Sequence, residues 1–369
     1  GRVLGSEEAR ALAPLLRDDL PHAYMLLQEA TTNDSRLTLA TVAAAARAGA
    51  VVANYLRVLA LEEVRGRVAG AVLLGGPGEG LVTLRCRAAV NATGPWVDHV
   101  RRLEDSRAAP SVRLSKGVHV VLPASGTWRA ALALWDEQRS VVAVPWHGMV
   151  VVGATDTPYE GDPGCVHADD EDVATLLAAA RHILPARVAA RGEVRFTFAG
   201  LRVLPPGGGK TSRASRDHVT TVGPAGMVSV AGGKLTMHRP IARSVVRLLP
   251  PEVRPRRTPT WDEPLTASSR REDEIASLVD GDTLRHLRSL YGAEAAELAR
   301  YREMPDAFER VHPDGPDVWA QAHRAVEREW ALTAEDIARR RTTIAVRGLL
   351  DASVRARLAR LTARLRAPA

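Results

Sequence analysis

The stretch "GMVSVAGGKLTMHRPIARSVVRLL" (226–249) constrains the fold more than any other. An apolar run passes straight into two glycines and then into a segment with helical character, which makes it a strand feeding a helix. Glycine removes the Cβ and lets backbone approach a ligand. The helix start offers free N–H groups and the positive end of its dipole. Such a turn suits an anion, or negative charge that exists only during a reaction. On this motif alone, the alternative is an ordinary helix N-cap with a surface lysine.

Lys234 stands out because the chain has 50 basic residues and only three are lysine: Lys116, Lys210 and Lys234. A lysine surviving among arginines points to a compact ammonium, where a planar guanidinium would not serve. All three adjoin glycine. The net charge of +7 and pI of about 10 raise the question of nucleic acid. Acids and bases are interspersed, however, and aromatic residues make up only 4%, so stacking platforms are scarce and nucleic acid is not expected as a partner. The 369 residues suffice for two or three domains. The opening "GRVLGSEEAR" has neither an initiator methionine nor a signal-peptide core, and suggests a piece of a longer protein. No apolar run is long enough to span a membrane. Cys86 and Cys165 have neither CxxC nor metal spacing and read as thiols in a reducing compartment; no metal site is expected.

Along the chain, "NDSRLTLATVAAAARAGA" (33–50) reads as an N-capped, Ala-rich helix ending at Gly49. "VVANYLRVLALEEV", "VAGAVLL" and "LVTLRCRAAVNATGPWVDHV" continue in what reads as alternating α/β material, with "GGPGEG" (75–80) as a surface turn. From 108 to 200 short strands dominate: "SKGVHVVLP", then "SVVAVPW" and "MVVVGATD" joined as a hairpin across His147–Gly148. "DDEDVATLLAAARHILP" is a helix with its apolar face at Val173, Leu176, Leu177, Ala180 and Leu184. Beyond the linker "PPEVRPRRTPTWDEP" the last hundred residues read as helical, including "AEAAELARY" and "DVWAQAHRAVEREW". Thr333 and Asp336 form a capping box, and the final helix packs Val354, Leu358, Leu361 and Leu365 inward.

The fold class expected is α/β plus α: a Rossmann-like cofactor domain, an antiparallel substrate-covering layer and a C-terminal helical domain. The boundaries expected are 1–30 in the covering layer, 31–107 and 201–250 in the cofactor domain, 108–200 in the covering layer, 251–264 as linker and 265–369 as the helical domain. "PPGGGKTS" (205–212) fails as a Walker A loop, because the first glycine position holds Leu204.

Several turns of one kind occur in order: "VNATGPW" with Thr93 and Gly94, His119 in "LSKGVHVV", Asp156 in "VVGATD", Arg202 in "FAGLRVLPP", Arg216 in "RASRDHV", and Gly232–Gly233–Lys234. Singly, each is more often a core or surface residue. Together, "DSRLTLATVAAAARAGA", "VNATGPWV", "SKGVHVVLP", "VVGATDTPYEGDP", "FAGLRVLPP", "SRDH" and "AGGKLTMHR" closely resemble FAD-dependent glycerol-3-phosphate dehydrogenases, of the D-amino-acid-oxidase-like flavoenzymes. "AVEREWALTAEDIARRRT" resembles that family's C-terminal domain. The strand–GxGxxG–helix unit that opens the family is absent from this sequence.

The resemblance implies FAD as cofactor, bound near Thr93, Gly94, Gly232, Gly233, Leu235 and Thr236. Its pyrimidine edge would face the glycine turn, where charge gained on reduction is stabilised. It implies sn-glycerol 3-phosphate as substrate, with Arg202 and Arg216 on the phosphate. His119 is the expected proton acceptor; Lys234 is second, on condition that burial and neighbouring arginines depress its pKa. Asp156 orients the histidine or a hydroxyl. A quinone acceptor and peripheral contact with the inner face of the cell membrane, from the cytoplasm, are further implications, and the resemblance allows a homodimer. A related oxidase using oxygen, or a non-catalytic fragment, are the competing readings.

Overall fold

The computed structural model describes residues 1–20, 23–76, 80–135, 140–207, 217–255, 264–266 and 272–366. Arg216, Lys210 and most of "PPGGGKTS" lie outside these residues, as do much of the Pro/Arg-rich linker and the Leu365 side chain.

The largest sheet is antiparallel and is built on β7 (Arg113–Pro123). On one side β7 pairs with β12 (Phe196–Leu204). On the other it pairs with β10 (Met149–Gly153) and then β11 (Thr157–Tyr159). The hairpin across His147–Gly148 joins β10 to β9 (Ser140–Trp146), and β8 (Leu132–Trp135) forms the far edge. Because side chains alternate along a strand, β7 divides its chemistry between two faces. Val118, Val120 and Leu122 point into a core shared with Val150, Val152, Leu176 and Leu184, none of them more than 3% exposed. That core is covered by α4 (Asp170–Ala180), whose apolar face is the one its sequence predicts. Each side chain so buried contributes about 2 kcal/mol.

Ser115, Gly117, His119 and Val121 lie on the opposite face. Val121 and Met149 pack there against Val346 of the helical domain. The segment 1–20 adds α1 (Ser6–Leu12), whose Ala9, together with Ala13 and Leu16, meets Trp128 and Leu132 of the same layer. β1 (Arg2–Gly5) and β2 (Ala23–Leu26) form a separate antiparallel pair.

The helix expected from residue 33 is α2 (Asp34–Arg47): the Asn33 side chain accepts from Arg36 N, and Gly49 follows at φ +95°. The next three strands depart from the alternating α/β reading. β3 (Arg57–Val64), β4 (Arg67–Leu74) and β5 (Leu81–Arg85) form an antiparallel meander. Strand periodicity identifies each segment but carries no information on partner direction. The parallel element is small: β6 (Val90–Asn91) pairs with β14 (Val228–Gly232), which β13 (His218–Val222) flanks antiparallel. After β6 come the Gly94–Trp96 turn and α3 (Val97–Glu104); after β14 comes α5 (His238–Leu248).

The C-terminal hundred residues are helical. α6 (Glu272–Ala276), α7 (Gly281–Tyr291) and α8 (Trp319–Arg328) precede the short α9 (Ala334–Asp336), which a π-helical turn continues. Residues 292–301 wind as a tighter 3₁₀ helix. The capping box at Thr333 and Asp336 is present. Val354 and Leu358 of α10 (Ala352–Arg366) are buried, with Leu361 packed against the same core. Polar contacts tie this domain to the rest, Tyr55 with Asp336 and Asn54 with the Trp330 carbonyl among them. Arg36 of α2 and Arg324 both reach Glu329, and both stack on Tyr291. His147 meets Asn33 at 3.1 Å and His286 edge-on, while His286 bonds the buried Asp317 at 2.9 Å.

Candidate active site

Pairing of β7 with β12 sets Ser115 opposite Arg202, Gly117 opposite Gly200 and His119 opposite Phe198. The His119 and Phe198 rings stack, with centroids 4.8 Å apart and planes 8° from parallel. Gly153 backs the histidine: a Cβ there would lie 2.1 Å from His119 Cδ2, so only glycine leaves room for the ring. The two glycines between His119 and Arg202 leave a trough. The Arg202 guanidinium lies over Gly117, where a Cβ would come within 2.6 Å of Nη1.

Between β10 and β11 the chain leaves the ladder and brings Thr155 and Asp156 to the same spot. Arg202 Nη1 donates to the Thr155 carbonyl at 2.9 Å and lies 3.6 Å from Asp156 Oδ1. The Ser115 hydroxyl donates to Asp156. Val118 N donates to Thr155 Oγ1 at 2.9 Å. Asp156 therefore orients a hydroxyl and the arginine; it is not bonded to His119. His119 Nδ1 is enclosed without a partner, which leaves Nε2 as the nitrogen for proton exchange. Burial, and secondarily the Arg202 charge, push the His119 pKa down to about 4. The imidazole is therefore neutral at neutral pH and free to accept a proton.

The glycine turn meets this layer at the end of β12. Gly232 and Gly233 have φ of +79° and +83°, a region that side-chain-bearing residues rarely adopt. A Cβ on Gly232 would lie 2.9 Å from the Asp217 carbonyl and 3.2 Å from that of Val203; one on Gly233 would strike Ile241. Lys234 caps the helical turn Leu235–Met237, without a side-chain hydrogen bond to its N–H groups. Lys234, Leu235 and Thr236 are exposed. Lys234 makes no ion pair among the described residues. A cavity of about 320 Å³ opens here, lined by His218, Gly233, Lys234, Met237 and Ile241.

Thr93 and Gly94 lie one strand away. Asn91, 2% exposed, clamps their turn: Nδ2 donates to the Val97 carbonyl at 2.9 Å and to Ser229 Oγ at 3.2 Å, while Oδ1 accepts from Thr93 Oγ1 at 2.7 Å. The turn at Gly94 packs against both β12 and β14. Helix-start N–H groups, positive-φ glycines and this cavity together suit a group that carries or gains negative charge. The structure thus brings His119, Asp156 and Arg202 into one cluster and sets Gly232 beside the next residue of β12. Arg216 is outside the described residues.

Sequence reading missed Ser115, Gly117, Thr155 and Phe198, although the glycine two residues before His119 was a signal. Asn91 is also a positioning residue it missed. Conversely, Lys116 is not a site lysine. It lies on the other face of β7, where it pairs with Asp169 and Asp172 at the start of α4, at 2.7 and 2.6 Å. Among the described residues no His, Cys, Asp and Glu group has metal-site geometry, and no helix is long and apolar enough to cross a membrane.

Comparison with known proteins bears on this geometry. Residues 1–239 match the family model described as FAD dependent oxidoreductase, and residues 260–364 match the C-terminal domain of alpha-glycerophosphate oxidase. A glycerol-3-phosphate dehydrogenase of Synechocystis is 32% identical over 345 residues, covering 84% of this chain and 61% of that protein. The human mitochondrial glycerol-3-phosphate dehydrogenase is 29% identical over 381 residues, covering 93% of this chain and 50% of that protein. The chain therefore spans half to three-fifths of the length of these relatives. The structure of the Bacillus halodurans glycerol-3-phosphate dehydrogenase, complexed with FAD, superposes with a TM-score of 0.77 at 26% identity. It covers 98% of this chain and 79% of that one.

Proposed function

The chain belongs to the FAD dependent oxidoreductase family, and from that premise we propose that it carries the substrate side of an enzyme oxidising sn-glycerol 3-phosphate to dihydroxyacetone phosphate. The observation that carries this reading is the His119–Arg202–Asp156 cluster: a neutral histidine beside an arginine already held in place. Gly232, Gly233, the N–H groups of Leu235 and Thr236, and the turn at Thr93–Gly94 are the residues that would hold the flavin ring. FAD, when bound, supplies the acceptor for the hydride that leaves C2.

The remaining chemistry belongs to this chain's side chains. Arg202 takes the phosphate, its fork matching two phosphate oxygens while Thr155 and Asp156 fix its direction. Arg216 is the second guanidinium in this reading. His119 accepts the C2 hydroxyl proton at Nε2. The Arg202 charge that lowers its pKa is countered once a phosphate dianion lies against the guanidinium. Substrate binding therefore offsets the smaller of the two causes that lower the imidazole's pKa. Phe198 and Gly153 hold the ring in plane. Lys234, at the mouth of the glycine turn, adds positive charge where negative charge develops.

Electrons then pass to a membrane quinone, and contact with the membrane is peripheral. The match of residues 260–364 to an oxidase domain favours a second reading, in which oxygen takes the electrons. The test is product formation from glycerol 3-phosphate by the FAD-supplemented chain, with a soluble quinone in one arm and oxygen in the other. Dihydroxyacetone phosphate with quinone and little peroxide supports the first reading. Stoichiometric peroxide supports the second, and no product in either arm contradicts both.

A further inference from the structure

The helical domain has a cavity of its own, on elements that contribute nothing to the His119 cluster. It measures about 540 Å³ and opens between residues 304–306, α8 and α10. Its floor is apolar, formed by Met304, Pro305, Trp319 and Leu361. Trp319 is 3% exposed, and its indole N–H is enclosed without an acceptor. Arg357 covers the indole face, its Cζ 3.8 Å from the ring centroid.

The rim is strongly basic. Arg357, Arg360 and Arg364 line it against one carboxylate, Asp306, which Arg357 approaches at 3.4 Å. Arg360 and Arg364 have no ion pair or hydrogen bond among the described residues. Four residues apart on α10, they project from the same face one turn apart, where like charges repel. The wall also includes His323, stacked on Tyr301 with centroids 5.8 Å apart and its Nδ1 without a partner. Burial, assisted by Arg357 and Arg364 against Glu327, holds its pKa below the usual value.

An inorganic anion would satisfy the guanidinium pair but leave the apolar floor wet. A neutral apolar molecule would dry the floor but leave the exposed Arg360 and Arg364 guanidiniums without a counter-charge. We propose that this cavity binds a small amphiphilic anion, a phosphate monoester or carboxylate with an apolar body, its head group between Arg360 and Arg364 and its body on Trp319 and Leu361. Guanidinium forks suit such a head group, and concave, mostly apolar pockets with few polar groups are the usual form of small-ligand sites.

Calorimetric titration of the 369-residue chain with octyl phosphate, below its micelle concentration, tests the assignment. The expected result is one site per chain, with octanol and inorganic phosphate each binding at least tenfold more weakly. R360Q/R364Q weakens octyl phosphate roughly tenfold, the loss of charge-assisted hydrogen bonds, and R360K/R364K loses less. Neither arginine has an ion pair or hydrogen bond among the described residues, so an unchanged melting curve accompanies the loss. If the double variant fails to fold, the comparison of octyl phosphate with octanol on the unaltered chain still decides. Equal affinity for octanol, unchanged affinity in R360Q/R364Q, or no saturable binding overturns the proposal. Binding seen only with anionic vesicles overturns it as well, in favour of a membrane surface.

Discussion

Gly117→Ala tests the site without replacing any side chain placed in it. The added methyl carbon would lie 2.6 Å from Arg202 Nη1 and 2.8 Å from Cζ and Nη2, against ordinary contacts that begin near 3.4 Å. The guanidinium must retreat by about 0.8 Å. It is the far end of a flexible side chain, so the retreat is cheap for the fold and β7 keeps its ladder. The arginine, however, loses its line to the Thr155 carbonyl and to Asp156. Charge-assisted hydrogen bonds of this kind are worth about 1.5–3 kcal/mol each, so losing one on the substrate phosphate raises KM roughly ten- to hundredfold. Such binding is made in ground and transition states alike, and kcat changes little. Anaerobic flavin reduction by graded glycerol 3-phosphate, on FAD-loaded wild type and variant, reads the effect. An unchanged half-saturation concentration in a folded variant refutes the role given to Arg202. A melting temperature that falls in step with activity refutes the claim that the trough is functional.

Acid should destabilise the fold in a defined window. The pKa of His147 is pushed to about 4, chiefly by burial and then by His286 and Arg347, and that of His119 to about 4 by burial and then by Arg202. Between pH 6.5 and 4 the unfolded chain binds protons that the native state refuses. Stability is therefore complete above the unfolded value and falls with pH by up to about 1.4 kcal/mol per unit per histidine. Urea titrations across that range should show the slope, and His147→Asn, which tolerates the φ of +47° at that position, should reduce it. Asn91→Ala leaves the buried Ser229 hydroxyl without this donor and releases the Thr93 turn. A loss of about 1–3 kcal/mol is expected in chemical denaturation, with weaker FAD retention. Thr333→Ala removes the cap on Asp336 N and should cost about 1 kcal/mol with no effect on substrate affinity.

Local signals made part of this site legible. The Gly-Gly turn, the Asn91–Gly94 turn and the capping box at Thr333 are encoded by neighbouring residues, and each has the conformation its residues predict. His119 and Arg202 were visible as types, but their meeting depends on the β7–β12 register, which joins segments distant in sequence. Lys116 illustrates the limit. Its rarity and its glycine neighbour suggested a site lysine, yet strand alternation sends it to the α4 face, one residue out of phase with Gly117. The joints at Glu329 and at His147–His286–Asp317 gave no sequence signal, because each draws its partners from separate elements. The β3–β5 meander escaped for a related reason: alternation identifies strands without naming their neighbours.

The most direct test of the account is an absorbance spectrum of the chain after incubation with FAD and desalting, followed by anaerobic addition of glycerol 3-phosphate. A retained flavin spectrum that bleaches with substrate in the wild type, and bleaches far more slowly in H119N, is the predicted result. Retained flavin that glycerol 3-phosphate leaves oxidised would contradict it.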